Sequence, residues 1–375
     1  MRPVGIDEGL FDELAKERGE ALTSLLLPTH TKGPEVAQDR IRLKNALSEI
    51  DGMLSAAGWR RTDREDRLSQ ARSLLDDEDF WAHQGEGLAL YIDEAGELRP
   101  VKLDDDPPQI FCVADCFHVR HLIPGLMRHP LPALVLTQGG VALYSVAGDG
   151  AEAIDADLPA SIEDANWFVD RERHEQRHAD SSGSAGVRHG HHPSDRVSED
   201  FLRFLRAVSQ AASEAIGRGP VVVLGDEPVI EGFRRVADCE VIGLGLDGTQ
   251  RWDSESEIWR LVLPVIDDRL AAELAANQAA ARDALGTSDT VTLFPEALYG
   301  AVSGRLSHVY LRRDAKPVWG RFDAAAVDAA AGSERGVGSV DLLDRLVVTA
   351  RGTGAELIAM DGDADGHDFV GVRRF

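Results

Sequence analysis

The stretch "SEDFLRFLRAVSQAASEAIGRGPVVVLGD", residues 198–226, constrains the fold more than any other. Phe201, Phe204, Leu205, Val208 and Ala212 recur at helical spacing, so one face of a helix is apolar. The run "PVVVLGD" is short and uniformly apolar, which reads as a buried strand, and a further helix starts from Glu227. Helix followed by an apolar strand points to an α/β layer.

The same alternation runs along the chain, which is expected to be α/β with mixed α+β character. "ALTSLLLPTHTKGP" predicts a buried strand and then a loop. "EVAQDRIRLKNALSEIDGMLSAAG" places Val36, Leu43, Leu47, Ile50, Met53 and Leu54 on one helical face, with Gly58 as its stop. A second helix is predicted around "DREDRLSQARSLLDDEDFWAHQG". "GLALYIDEAGELRPVKLD" reads as a hairpin turning at Glu94–Glu97. "LPALVLTQGGVALYSVAGDGAEAIDADLP" reads as a meander with its turn at Gly139-Gly140. In "SESEIWRLVLPVIDDRLAAELAANQAAARDALG" a long helix is expected to bend or split at Pro264. "TLFPEALYGAVSGRLSHVYLRRDAKPVWGRFD", "DLLDRLVVTARGTGAELIAMD" and "FVGVRRF" close the chain with further helices and strands. A length of 375 residues argues for two or three domains.

A formal net charge of −25 disfavours loose, charge-driven binding to nucleic acid or anionic membrane, though a local basic patch can still dock on RNA. No apolar signal core opens the chain and no run of about 18 apolar residues occurs, so no membrane partner and a cytoplasmic location are expected. The thiols Cys112, Cys116 and Cys239 form no spaced framework and read as reduced, small buried residues.

Chemistry-bearing residues concentrate in "RERHEQRHADSSGSAGVRHGHHP", residues 171–193, which holds five of the twelve histidines. His174, Glu175 and His178 match H-E-x-x-H, the helical zinc-hydrolase spacing. The surrounding segment has almost no apolar residue to bury one side of such a helix, so a solvated polar segment is the favoured reading. "DGDADG", Asp361–Gly366, has the start of a calcium loop, but the twelfth position is Val372 instead of a bidentate Glu, so an acidic turn between strands is expected. No Gly-rich phosphate cradle and no G-x-S-x-G elbow occurs, and no cofactor is expected. Arg40, Arg42 and Lys44 crowd the first turns of one helix beside Asn45; this is a charged face or a place to meet phosphate.

Several segments together resemble the bacterial members of the archaeo-eukaryotic release factor and Pelota superfamily, family 3 above all. They are "LLLPTHTKGPEVAQDRIRLKNAL", "FWAHQGEGLALYI", "VADCFHVRHLIPGL", "PVWGRFD" and "DLLDRLVVTARGTGAEL". The resemblance implies three domains: an N-terminal one over 1–129, a middle one over 130–253, and a C-terminal α/β partner-binding one over 254–375. It places 171–193 where the family carries its Gly-Gly-Gln loop. In release factors that Gln helps position a water against the peptidyl-tRNA ester, and the glycines let the backbone approach RNA closely. Here Gly-Gly-Gln is missing, so the resemblance implies binding in or near the ribosomal A site without efficient peptidyl-tRNA hydrolysis. Hibernation, rescue or recycling is the implied task, because stop-codon-reading motifs are not recognisable. Arg188, His189, Gly190, His191 and His192 are the expected contacts to rRNA or a tRNA end. Arg40, Arg42, Lys44 and Asn45 are those expected at the decoding side. A translational GTPase is the implied delivery partner. The two alternatives are a zinc-dependent hydrolase and a protein-interaction module with no ribosomal role.

Overall fold

In the computed structural model β1 (Leu22–Pro28) is a strand buried along nearly all its length. It lies inside a four-stranded antiparallel sheet with β2 (Gly87–Ile92), β3 (Leu98–Leu103) and β4 (Ile110–Ala114), in the order β3-β2-β1-β4. A strand covered on both faces does not alternate apolar and polar residues; in "LTSLLLP" the two polar residues, Thr23 and Ser24, are themselves buried, and Ser24 Oγ accepts from His118 N at 2.9 Å. Leu25 and Leu27 face one core with Leu43, Leu47, Ile50 and Leu54 of α2 (Val36–Ala56). Leu22 and Leu26 face a second core with Phe11 and Leu14 of α1 (Glu8–Lys16). The β2–β3 turn closes through Asp93 N donating to Glu97 O at 3.1 Å, with Gly96 at φ +83°. The structure describes residues 3–30, 35–137, 140–148, 150–159, 199–245, 254–323, 328–331 and 336–374.

The helix expected over 63–85 is broken instead. Its pieces are α3 (Arg61–Arg67), α4 (Ser69–Ser73), a 3₁₀ turn at Leu74–Asp76 and α5 (Glu78–Trp81). Asp77 leaves helical geometry at ψ 96° and its carboxylate accepts from Phe80 N at 3.0 Å, capping a new turn. Leu68, Leu74, Phe80 and Trp81 do not share one face of a straight helix, yet all are buried. The breaks are what let each reach the core.

The chain divides into two compact units, one of residues 1–128 with 269–375 and one of residues 129–268. A short helix, α6 (Ile123–Met127), precedes the second unit. That unit is a five-stranded sheet in the order β7-β6-β5-β8-β9, from β5 (Leu131–Thr137), β6 (Gly140–Ala147), β7 (Gly150–Ile154), β8 (Val221–Gly225) and β9 (Val241–Gly245). The β5-β6-β7 meander is antiparallel, whereas β8 runs parallel to both β5 and β9. Leu134 and Leu136 face α7 (Glu199–Ile216) and α8 (Glu227–Arg234), meeting Phe201, Phe204, Leu205, Val208, Ile230 and Phe233. Leu131, Ala133 and Val135 face the other way, onto Ile258, Val262 and Ile266 of α9 (Glu255–Leu285). This alternation along β5 makes the layered α/β arrangement.

Helix α9 runs unbroken through Pro264. Pro264 is exposed, and so is Arg260, whose carbonyl loses its intrahelical donor there. On that exposed side the carbonyl is open to solvent, while Ile258, Val262 and Ile266 hold the buried face on either side of the proline. Among the described residues no helix is long and apolar enough to cross a membrane.

After α9 the chain completes the first unit. The sheet β10-β16-β11-β15 comprises β10 (Thr290–Val291), β11 (Leu306–Arg312), β15 (Glu356–Met360) and β16 (Phe369–Arg373). Around it lie α10 (Phe294–Val302), a small sheet of β12 (Trp319–Asp323), β13 (Asp328–Ala331) and β14 (Val340–Asp341), and α11 (Leu342–Gly352). Leu342, Leu346 and Val347 of α11 enter the same core as Phe11, Leu26 and Tyr91.

A buried polar clasp ties these terminal segments together. Arg120 Nε donates to Asp341 Oδ2 at 2.7 Å, and Nη2 donates to Ala315 O at 2.7 Å. Asp344 Oδ1 accepts from the main-chain N–H groups of Val119 (2.7 Å) and Arg120 (2.8 Å). Asp341 Oδ1 accepts from Val318 N at 2.9 Å and caps α11 through Leu343 N. Arg345 pairs with Asp115, and Arg351 reaches Asp12 and Glu8. Burial, reinforced by the Asp341 charge and opposed by the two N–H donors, pushes the Asp344 carboxyl up to about 7.

Candidate nucleic-acid interface

The end of β1 fixes the approach to α2. Thr29 N donates to Glu86 O at 2.8 Å, and its hydroxyl donates to Gly85 O at 2.9 Å. His30 N then donates to Asp39 Oδ2 at 2.8 Å, and His30 Nδ1 lies 3.0 Å from Asp39 Oδ1. Arg42 donates to the same Oδ1. Asp39, only 1% exposed, thus gathers an amide, an imidazole and a guanidinium in the first turn of α2, where a negative charge also suits the helix dipole.

This network separates the four basic-cluster residues. Arg42 is engaged with Asp39 and Arg40 is half-buried, whereas Lys44 and Asn45 are exposed. Ile41, 49% exposed, lies three and four residues before them and shares their patch. The surface therefore offers one mobile ammonium, one amide and an apolar side chain, a set that can bond a phosphate and cover a base or sugar.

Arg188, His189, Gly190, His191 and His192, together with His174, Glu175 and His178, lie outside the described residues. The chain on either side of them is anchored in one apolar layer. Ile154 and Leu158 pack partly buried against the cluster that holds Phe201 and Phe204, whose rings stack at 6.4 Å.

Other candidate positions have structural places. Asp361–Gly366 turns between β15 and β16, with Gly366 N donating to Asp363 Oδ1 at 2.9 Å; Val372 is a strand residue opposite Thr290 and His308. Gln278 Nε2 donates to Asp363 O at 2.7 Å, so the turn also leans on α9. Among the described residues no cluster of three His, Cys, Asp or Glu side chains is placed to hold a metal ion. Cys112 and Cys116 are buried thiols in no disulfide, and burial pushes the Cys116 thiol up to about 12, so it stays protonated at neutral pH.

Sequence reading did not single out the residues around Arg120. His118 and His121 stack at 5.2 Å, and burial with the adjacent Arg120 charge holds His121 well below the usual histidine value, hence neutral. His118 Nδ1 is 3.9 Å from Asp344 Oδ1, and Tyr91 OH donates to His118 O at 3.0 Å. The segments "VADCFHVRHLIPGL" and "DLLDRLVVTARGTGAEL" meet here, and their charged residues hold two parts of the fold together.

The model of bacterial archaeo-eukaryotic release factor family 3 matches residues 132–305, just under half of the chain. Comparison with curated proteins gives no match. Among solved structures, the chain is similar to a "Model of ribosome-bound archaeal Pelota and ABCE1", at 13% identity and a TM-score of 0.40, over 80% of this chain and 74% of the other. It is similar to the archaeal translation termination factor aRF1 at 15% identity and a TM-score of 0.24, over 98% and 96% of the two chains. For S. cerevisiae Dom34, described as a translation termination-like factor that interacts with Hbs1, the figures are 8%, 0.33, 78% and 74%.

Proposed function

Residues 132–305 belong to bacterial archaeo-eukaryotic release factor family 3, and from that premise we propose that the chain is a cytoplasmic translation factor that binds the ribosome in or near the A site. Its task is hibernation, rescue or recycling, without efficient peptidyl-tRNA hydrolysis. The observation that carries this reading is a release-factor segment whose stretch 171–193 holds histidines and no Gly-Gly-Gln. Without that Gln and the paired glycines, the reacting water loses its orienting amide and the backbone its close approach to RNA. Arg188 and His189–His192 contact rRNA or the tRNA end, and Lys44 and Asn45, with Arg40 and Arg42 behind them, contact rRNA at the decoding side. The net charge of −25 opposes adventitious RNA binding, so delivery by a translational GTPase fits a factor of this charge.

Sucrose-gradient sedimentation of lysates from growing and starved cells tests the reading. The protein is expected in the ribosomal fractions of at least one; retention at the top of both gradients overturns it. Replacing His189, His191 and His192 together with alanine should lower the ribosomal share and leave the melting temperature within a degree or two. The Lys44→Glu variant should bind more weakly and lower the slope of log affinity against log salt by about 1, the signature of one lost phosphate contact.

A further inference from the structure

Helix α10 is apolar on both sides. Ala297, Leu298 and Ala301 face the core of the unit formed by the terminal segments. Pro295, Tyr299 and Val302, spaced i, i+4 and i+7, form the opposite stripe, and all three are exposed. Leu293 stands just before the first turn. Leu293, Tyr299 and Val302, at 61%, 51% and 37% exposure, are three of the five large apolar side chains left exposed among the described residues. Single exposed apolar residues are ordinary, whereas three gathered on one helix make a patch, the mark of an interaction surface. A helix that packs on one side and meets water on the other needs polar residues outward, so core packing does not account for this stripe.

Guanidinium groups rim the patch. Arg305 lies over the Tyr299 ring at 5.5 Å and pairs with no carboxylate among the described residues. Arg374 N donates to Arg305 O at 2.8 Å, which brings a second exposed arginine beside it. The Arg374 guanidinium donates to the main-chain oxygens of Leu306, Thr353 and Gly354, which leave its charge uncompensated. Arg373 lies 3.7 Å from Glu296, and its N–H donates to Asp289 O at 2.8 Å. Three guanidinium groups thus stand against the carboxylates of Glu296 and Asp289, in a chain whose 65 acidic residues outnumber 40 basic ones. A basic segment would suit the chain's overall charge but meets cations at this rim. A nucleic acid would pair with the arginines and leave the aliphatic Leu293 and Val302 uncovered. A second copy of the chain, joined face to face about a two-fold axis, would set arginine against arginine. We propose that this face of α10 binds an acidic amphipathic segment of a partner protein. Its apolar stripe covers Tyr299 and Val302, and its flanking carboxylates pair with Arg305 and Arg374. The assignment goes beyond ribosome binding and does not depend on it.

The test uses the purified full chain and a fluorescein-labelled peptide with leucine at every third or fourth position and glutamate between, followed by anisotropy at physiological salt. A twin peptide carries lysine for every glutamate. Saturable binding of one acidic peptide per chain is expected, tighter than that of the twin, although the net charge of −25 favours the twin everywhere else on the surface. Tyr299→Ser should weaken the acidic peptide roughly tenfold. Val4→Ser, which removes an equally exposed apolar side chain at the edge of β3, should change it less than about twofold. Arg305→Gln should weaken the acidic peptide roughly two- to fivefold and spare the twin. Preference for the lysine twin, equal weakening by Tyr299→Ser and Val4→Ser, or no saturable binding overturns the proposal. So does a dimer in sedimentation equilibrium that Tyr299→Ser dissolves, since the face would then belong to a second copy. Melting curves of the variants are expected to overlay the parent's, because the exchanged side chains are exposed.

Discussion

Replacing Arg120 with methionine should lower the unfolding free energy by about 3–5 kcal/mol, the largest effect expected of any single exchange here. The Arg120 side chain is 4% exposed and that of Asp341 is fully buried. Removing the guanidinium strands a carboxylate that already accepts two amides, and it also frees the Ala315 carbonyl. Met matches the stem in length, so cavity formation adds little. Denaturant titration is the measurement, and a drop below about 1 kcal/mol would show that the ion pair does not hold the segments together. Adding Asp341→Asn should recover part of the loss, because the remaining charge is what makes the single variant costly.

Asp344 governs the second large effect. Its carboxyl is raised in the folded chain, to about 7 against an ordinary 3.8. Between about pH 4 and pH 7 the unfolded chain has released this proton and the folded chain has kept it. The stabilisation is therefore complete below about pH 4 and is lost as pH rises through 7, with a slope of up to about 1.4 kcal/mol per pH unit. The groups facing Asp344 are Asp341, Arg120, Arg345, His118 and the Tyr91 phenol. In Asp344→Asn the amide oxygen still accepts from Val119 N and Arg120 N, so geometry is kept while the titration disappears. The difference in stability between variant and parent, measured from pH 5 to 8, should grow in favour of the variant as pH rises. Parallel profiles would place the carboxyl's proton elsewhere.

What could be read from the residues was local. The hairpin at Glu94–Glu97, the meander from Leu131, the apolar face of α7 and the buried run 221–225 each rest on periodicity within about 20 residues. The reading failed where packing overrode local pattern. Four apolar residues off a common face broke the helix expected over 63–85, and of the bend or split expected at Pro264 the split is absent, the proline being exposed on a continuous α9. At the candidate interface the spacing of Lys44 and Asn45 on α2 was readable. The i, i+3 spacing of Asp39 and Arg42 was there to be read as well, but the burial of Asp39 and its bonds to the amide and ring of His30 were not, because they depend on the chain path around Thr29. The clasp joins residues more than 200 positions apart, and no spacing rule reaches that far. One hint was present: Asp344 and Arg345 interrupt "LLDRLVV", and a charge inside so apolar a helix needs a buried partner.

A unit made of residues 1–128 and 269–375 has a consequence for the order in which the protein matures. One side of the first sheet can close against α2 soon after synthesis. The other side, with Leu26, Tyr91 and Phe117, shares its core with Leu342, Leu346 and Val347. At roughly 5–20 residues per second, that side has only α1 and the residues just after β4 as cover for roughly 10–45 s while the intervening chain is made. Residues 129–268 are contiguous and finish first, so the earliest segment to be born is the last to mature, and chaperones that shield exposed apolar surface have their longest opportunity there.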